Sequence, residues 1–268
     1  CVPYNGILVL NGKNVTVSKN TVVGRGDDAT VACGLDRGIT YASGATGLVT
    51  KNTVKNWNRS GIAAEIGSNV RIVENRLTWT KTVPAPTSRR STPRAVMPAG
   101  APSGPAILAN QARARVVGNT VVRVKGAALP QSNGGIVFTS ASGRINGNTI
   151  TRFAYGITVG YDGSEGEILD NTVTRGRFKG IILYDLPVVL GADPETDPVW
   201  TVHGNTVHGF GQVGIELANA TRNHVDHNTV TQNGTVDCKD SDPEENAWHW
   251  NKGADSDPSG LCTTPAKR

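Results

Sequence analysis

The apolar positions of this chain fall in short alternating runs, not in helical stripes. Val15-Thr-Val17, Arg71-Ile-Val73, Arg144-Ile-Asn146, Glu167-Ile-Leu169 and His224-Val-Asp226 are β-rich segments bounded by Gly or Asn. No stretch sustains an amphipathic 3.6-residue period, so strands are predicted almost throughout and helix only at the ends. The runs also recur. A unit of roughly Gly-Ile-x-apolar, a polar stretch, and then apolar-x-apolar-x-x-Asn-Thr-Val returns eight times, with the asparagine at Asn20, Asn52, Asn75, Asn119, Asn148, Asn171, Asn205 and Asn228, all but Asn75 followed by Thr-Val or Thr-Ile. Successive asparagines are 32, 23, 44, 29, 23, 34 and 23 residues apart, a unit of 23 to which insertions are added. Such units bury their apolar side only against one another, which predicts a solenoid.

A coil of 23 residues with two or three short strands and tight turns is a turn of a parallel β-helix, each strand pairing with its equivalent one coil away at about 4.8 Å. The predicted fold is therefore all-β: a single-domain right-handed parallel β-helix of about eight coils, roughly 38 Å long at that spacing. Asparagine tolerates left-handed backbone, and its amide can bond the asparagines above and below. Asn20 through Asn228 are thus expected to form an internal ladder whose role is structural.

The Gly-Ile…Asn-Thr-Val units resemble the right-handed parallel β-helix repeat superfamily, the pectate-lyase-like architecture, over about residues 5–236. The segment from Asp237-Cys238 through Trp248, Asn251-Lys252-Gly253 and Leu261-Cys262 resembles the closing segment of secreted actinobacterial β-helix proteins. The expected organisation is a β-helix over 1–236, with insertions at about 80–103 and 186–199, and a C-terminal capping segment over 237–268. Members of this architecture are commonly lyases, hydrolases or epimerases of acidic polysaccharides. The resemblance thus implies a secreted protein that binds and processes an acidic polysaccharide, as a lyase or glycoside hydrolase. The alternative is a non-catalytic glycan-binding, adhesion or structural module, since fold alone does not fix function.

Composition narrows the partners. The net charge of +5 and pI of about 9.1 favour an anionic partner. The basic residues are spread over the coils without a nucleic-acid motif, so acidic glycan is expected in place of nucleic acid. No apolar run approaches a membrane span and no signal peptide is present. The chain starts at Cys1, almost on the first strand, as expected after a processed leader, a lipid-anchor signal or removed sequence. A monomer is expected. No cofactor is expected either, with calcium the exception if the protein is a lyase.

Four cysteines allow three pairings. Cys1 and Cys33 each lie five residues before a Gly-Ile pair, Gly6-Ile7 and Gly38-Ile39, and so hold equivalent places in adjacent coils. Strand spacing lies within the reach of a disulfide, which favours Cys1–Cys33 and leaves Cys238–Cys262 to close the C-terminal end. Both would guard exposed sheet edges and point to an oxidising, extracellular setting. A lipidated Cys1 is the competing reading. The first insertion is basic and proline-rich, with Arg89, Arg90 and Arg94; the second carries Asp193, Glu195 and Asp197 between prolines.

Constant register predicts which outward side chains stack. Four residues before each asparagine stand Thr16, Leu48, Arg71, Arg115, Arg144, Glu167, Thr201 and His224, which makes Arg71, Arg115 and Arg144 a basic column suited to binding substrate. Two residues before stand Ser18, Thr50, Val73, Val117, Asn146, Leu169, His203 and Asp226. His203 should therefore face Asp226, with His224 diagonal to His203, and these three are the candidate catalytic residues. A carboxylate beside a histidine favours the imidazolium and fixes its tautomer, as general acid–base work requires, although an ordinary cross-strand ion pair looks the same in sequence. The same three as metal ligands lack a recognised zinc spacing, so no metal site is expected. The strands after Gly-Ile offer Tyr161 and Asp162, then Tyr184 and Asp185, then Glu216. Tyr161, Tyr184, Asp185 and Glu216 are candidate sugar-binding residues, by stacking and hydrogen bonding.

Catalytic signatures of the architecture fit only in pieces. Gly26-Asp27-Asp28 resembles the Asp-Asp segment of polygalacturonase-like hydrolases, and Arg123-Val124-Lys125 their basic signature, but the Gly-His-Gly segment is absent. The carboxylate set for inverting hydrolysis is then incomplete. Neither a calcium-binding acidic cluster nor the Asp-Pro-His-Asp signature of alginate epimerases is present. Thr149-x-Thr151, Thr172-x-Thr174 and Thr229-x-Thr231 look like ice-binding faces, a remote alternative because Lys55, Arg76, Val122 and His208 interrupt the array.

Overall fold

Parallel pairing between coils builds the whole of the computed structural model, which describes residues 4–24, 35–57, 59–80, 104–125, 134–160, 164–185 and 199–263. Three sheets run along the axis. The first has ten strands, from Tyr4–Leu10 to Ser256–Asp257; the second has nine, from Val15–Ser18 to Ala247–His249; the third has eight, from Thr21–Val23 to Thr229–Thr231. Each strand pairs with its equivalents in the neighbouring coils, giving the parallel β-helix expected from the repeat. Among the described residues there is no helix, and so none long and apolar enough to cross a membrane.

The repeat motif explains the interior. The isoleucine of the Gly-Ile pair, Ala-Ile in the coil of Ile107, points inward, and Ile39, Ile62, Ile107, Ile136, Ile157, Ile181 and Ile215 stack in register, all fully buried. The preceding glycine lies where coils approach closely. A Cβ on Gly156 would sit 2.4 Å from the Gly180 carbonyl oxygen and 2.1 Å from a Val173 methyl, so no side chain fits there. The valine of Asn-Thr-Val fills the third side of the core, as with Val54, Val121, Val173, Val207 and Val230.

The ladder runs as expected and continues one rung further. From Asn20 to Asn228 each side-chain amide donates to the Oδ1 of the next asparagine at 2.9–3.1 Å. The last of these acceptors is Asn251, a ninth member. The same Oδ1 accepts the backbone N–H of the preceding asparagine, as in Asn119 to Asn148 at 2.8 Å. The second amide proton reaches a carbonyl one coil back, as from Asn148 to Val116 at 2.9 Å.

Beyond the last Asn-Thr-Val unit the chain goes on pairing. Val236–Asp240 joins the first sheet and Ala247–His249 the second, so the expected boundary at 236/237 falls inside a strand. Cys238 closes the inward isoleucine column and forms a disulfide with Cys262, Cα to Cα 5.9 Å. Cys1 and Cys33 lie outside the described residues, as do both insertions except for their outermost residues, Thr80 and Val199.

Candidate functional site

The outer face of the second sheet gathers the chemistry. Arg71, Arg115, Arg144, Glu167, Thr201 and His224 are successive partners along one column. Leu169, His203, Asp226 and His249 follow one another along the next. A third column comes from the residue directly before each ladder asparagine: Lys19, Lys51, Glu74, Gly118, Gly147, Asp170, Gly204, His227 and Trp250. All have φ between 51 and 67°. This left-handed turn ends the strand alternation. Two consecutive residues, Asp226 and His227, can then meet side chain to side chain.

Asp226 is the centre of the cluster. Its Oδ1 lies 2.9 Å from His203 Nδ1 and its Oδ2 lies 2.8 Å from His227 Nδ1, while His224 Nε2 is 3.7 Å from Oδ1. The Asp226 side chain is only 12 % exposed, whereas the three imidazoles are about half exposed. Burial pushes the Asp226 carboxyl up. Hydrogen bonds from His227 and His203, with the charges of His203 and His224, outweigh that and hold it below the usual aspartate value. Around the cluster the rings continue: His203 to His227 at 5.3 Å, His227 to Trp250 at 5.0 Å, His249 to Trp250 at 5.5 Å and His224 to His249 at 5.7 Å. Trp250 is 72 % exposed, an open indole face beside the histidines.

The contact with Asp226 places a proton on His203 Nδ1 and leaves Nε2 to accept one from a ligand. A base oriented by a carboxylate is the arrangement that proton abstraction needs. His203, Asp226 and His227 also offer three ligand atoms within 4.8 Å of one another, the one such group of metal-ligating side chains among the described residues.

The basic column leads to this cluster. Arg71, Arg115 and Arg144 are all exposed, and Arg144 pairs with Glu167 at 3.2 Å. Arg115 and Arg144 line a shallow depression of about 400 Å³ with Arg113, Glu165 and Glu167. By contrast, Arg123 turns inward, 6 % exposed, and donates to the Arg152 carbonyl.

The aromatic and acidic candidates lie on the first sheet, apart from the histidines. Tyr184 lines a separate depression of about 330 Å³ with Tyr155, Thr158 and Lys179, and Asp185 directly follows that strand. Glu216 is 6 % exposed, ion-paired to Lys179 and 3.9 Å from Lys239. Its carboxylate is thus occupied by two lysines. Tyr161 lies outside the described residues.

Sequence reasoning passed over His227, His249 and Trp250 as site members. For His227 and Trp250 the signal lies in the column one residue before the asparagine, and for His249 in the column two before it, extended by one rung to Asn251. Trp250 falls in the polar, irregular segment 237–268, which the sequence reads as a cap.

A right handed beta helix region is recognised over residues 2–121 and again over 101–247, and the chain belongs to that family. No curated protein matches the sequence. Among solved structures, a double mutant of the periplasmic alginate epimerase AlgG is similar over 93 % of this chain, with a TM-score of 0.58 and 11 % identity. The chain spans 48 % of that protein, about half its length. The Dettilon tailspike protein aligns over 95 % of this chain and 49 % of its own, with a TM-score of 0.47 and 16 % identity.

Proposed function

We propose that the protein is a secreted polysaccharide-processing enzyme that holds an acidic glycan along the outer face of the second sheet and abstracts a proton from it at the histidine cluster. The observation that carries this reading is the His203–Asp226 contact at 2.9 Å, set between the exposed Trp250 and the arginine column. An indole face stacks on a sugar ring, and arginines take its carboxylates. Proteins of the same architecture include an alginate epimerase, which supports a uronate-bearing substrate. The Cys238–Cys262 disulfide supports an oxidising compartment outside the cytoplasm.

The cluster favours elimination over hydrolysis. Glycoside hydrolysis divides its roles between two carboxyl groups, and here a single carboxylate is tied to imidazoles. In elimination, His203 Nε2 takes the proton next to the uronate carboxylate and Arg or Lys neutralises the growing charge. The bond to the leaving sugar oxygen breaks, that oxygen takes up a proton, and an unsaturated sugar remains. His224, also on this face, is placed to give the leaving oxygen its proton.

The test is incubation with uronic-acid and neutral glycans, following the absorbance of unsaturated products and new reducing ends. Wild type should release unsaturated products from an acidic glycan, and His203→Ala should lower the rate by about 100-fold or more. His208→Ala, on the third sheet, should leave it unchanged. No release from any glycan, with binding that survives His203→Ala and Asp226→Ala, would instead identify a non-catalytic adhesion module whose ligand contacts lie elsewhere.

A further inference from the structure

We infer that His203, Asp226 and His227 form a site for a divalent transition metal, with zinc the best match to the donor set. Two imidazole nitrogens and one carboxylate are donors that zinc accepts and that calcium and magnesium, which prefer all-oxygen shells, do not. Both imidazoles face Asp226 through Nδ1, at 2.9 and 2.8 Å, and the three ligand atoms lie within 4.8 Å of one another. Without metal, two Nδ1 protons occupy the space between the rings and the carboxylate. A metal replaces those protons; the two contacts to Asp226 open, and the widest spacing among the three ligand atoms, up to 4.8 Å, closes, to the roughly 3.4 Å that tetrahedral zinc with bonds near 2.1 Å requires. The rings can supply that movement, because His203 and His227 are about half exposed and not wedged in the core.

Backbone geometry prepares the site. His203 and Asp226 are register partners in adjacent rungs, and the left-handed turn at His227, with φ of 54°, brings its ring to the second carboxylate oxygen. Asp226, 8 % exposed, stands on a strand whose Val225 is fully buried in the core, so its position is fixed before metal arrives. Such preorganisation lowers the ordering cost of binding. His224 Nε2, 3.7 Å from Asp226 Oδ1, can turn in as a fourth ligand, and otherwise the fourth position faces solvent.

Metal binding stands independently of the glycan reaction, but it has a consequence for it. A His203 ligated through Nδ1 keeps its proton on Nε2 and cannot accept another. Zinc is therefore expected to inhibit the elimination proposed above, and a chelator to restore it.

Zinc titration of untagged, chelator-treated protein by calorimetry tests the site without any glycan. One zinc per chain should bind saturably, and His227→Ala and Asp226→Asn should each weaken binding by at least about tenfold, the scale already seen for loss of supporting groups around metal ligands. His208→Ala should bind as wild type does, and excess calcium should not compete. Circular dichroism of each variant guards against misfolding, and His227→Ala removes only an exposed ring. No saturable zinc binding, equal binding by the His227→Ala and Asp226→Asn variants, or displacement by calcium would each overturn the site. Failure of the glycan assay alone would leave it standing.

Discussion

Tyr41 is fully buried among the first rungs, where its hydroxyl donates to the Val15 carbonyl at 2.7 Å. Burial pushes it up to about 12 from 10.0, and a backbone hydrogen bond offsets only part of that. A folded value raised above the unfolded one means a contribution to stability that is complete below pH 10 and lost as pH rises towards about 12. Tyr41→Phe should cost about 1 kcal/mol at neutral pH and flatten the alkaline fall in stability, read by chemical denaturation across that window. The same scale shows how far single residues could be read in the sequence. His203 and Asp226 could be paired because parallel register keeps equivalent positions stacked, so subtraction from the asparagine sufficed. His227 escaped because strand alternation does not hold in the left-handed turn. Glu216 looks available for sugar in the sequence because the lysines that hold its carboxylate, Lys179 and Lys239, stand in the coils on either side and not beside it in the chain.

At the scale of elements, the asparagine ladder gives the clearest cost. Each rung supplies an acceptor for two donors of its neighbour, the ladder asparagines from Asn52 to Asn251 are buried, and buried donors without partners are expensive. Asn148→Ala would leave the Asn119 backbone N–H and amide without their 2.8 and 3.0 Å acceptor. A loss of about 3 kcal/mol is expected, measured by urea unfolding, with the parallel strands on either side retained in circular dichroism. A cost within about 0.5 kcal/mol would mean that water or a shifted backbone replaces the rung. Ladder and strands were legible because Asn-Thr-Val and Gly-Ile answer to local requirements, a left-handed turn and a close approach of coils. The rung at Asn251 was not, because Lys252-Gly253 ends the apolar side of the coil where the third sheet stops. That Tyr184, Asp185 and Glu216 stand on a different strand of the coil from the histidines was legible too, but whether the two faces converge on one cleft was not, since stacking order along a sheet says nothing of the angle between sheets.

For the whole molecule, the rigid solenoid turns sequence period into distance. Arg115 and His224 are four rungs apart on one column, roughly 19 Å at the strand spacing, enough for an oligosaccharide to touch arginine, histidine and tryptophan at once. On the proposed reading, the net charge of +5 would draw a polyanion to the surface and the column would give it a direction. The central claim is that the outer face of the second sheet, and not the first-sheet depression, is where the ligand lies. A crystal structure with an acidic oligosaccharide bound measures this directly. Sugar density running from Arg115 past His224 and His203 to a ring stacked on Trp250 is the predicted result. Density confined to the depression lined by Tyr155, Lys179 and Tyr184, with the second sheet bare, would contradict it.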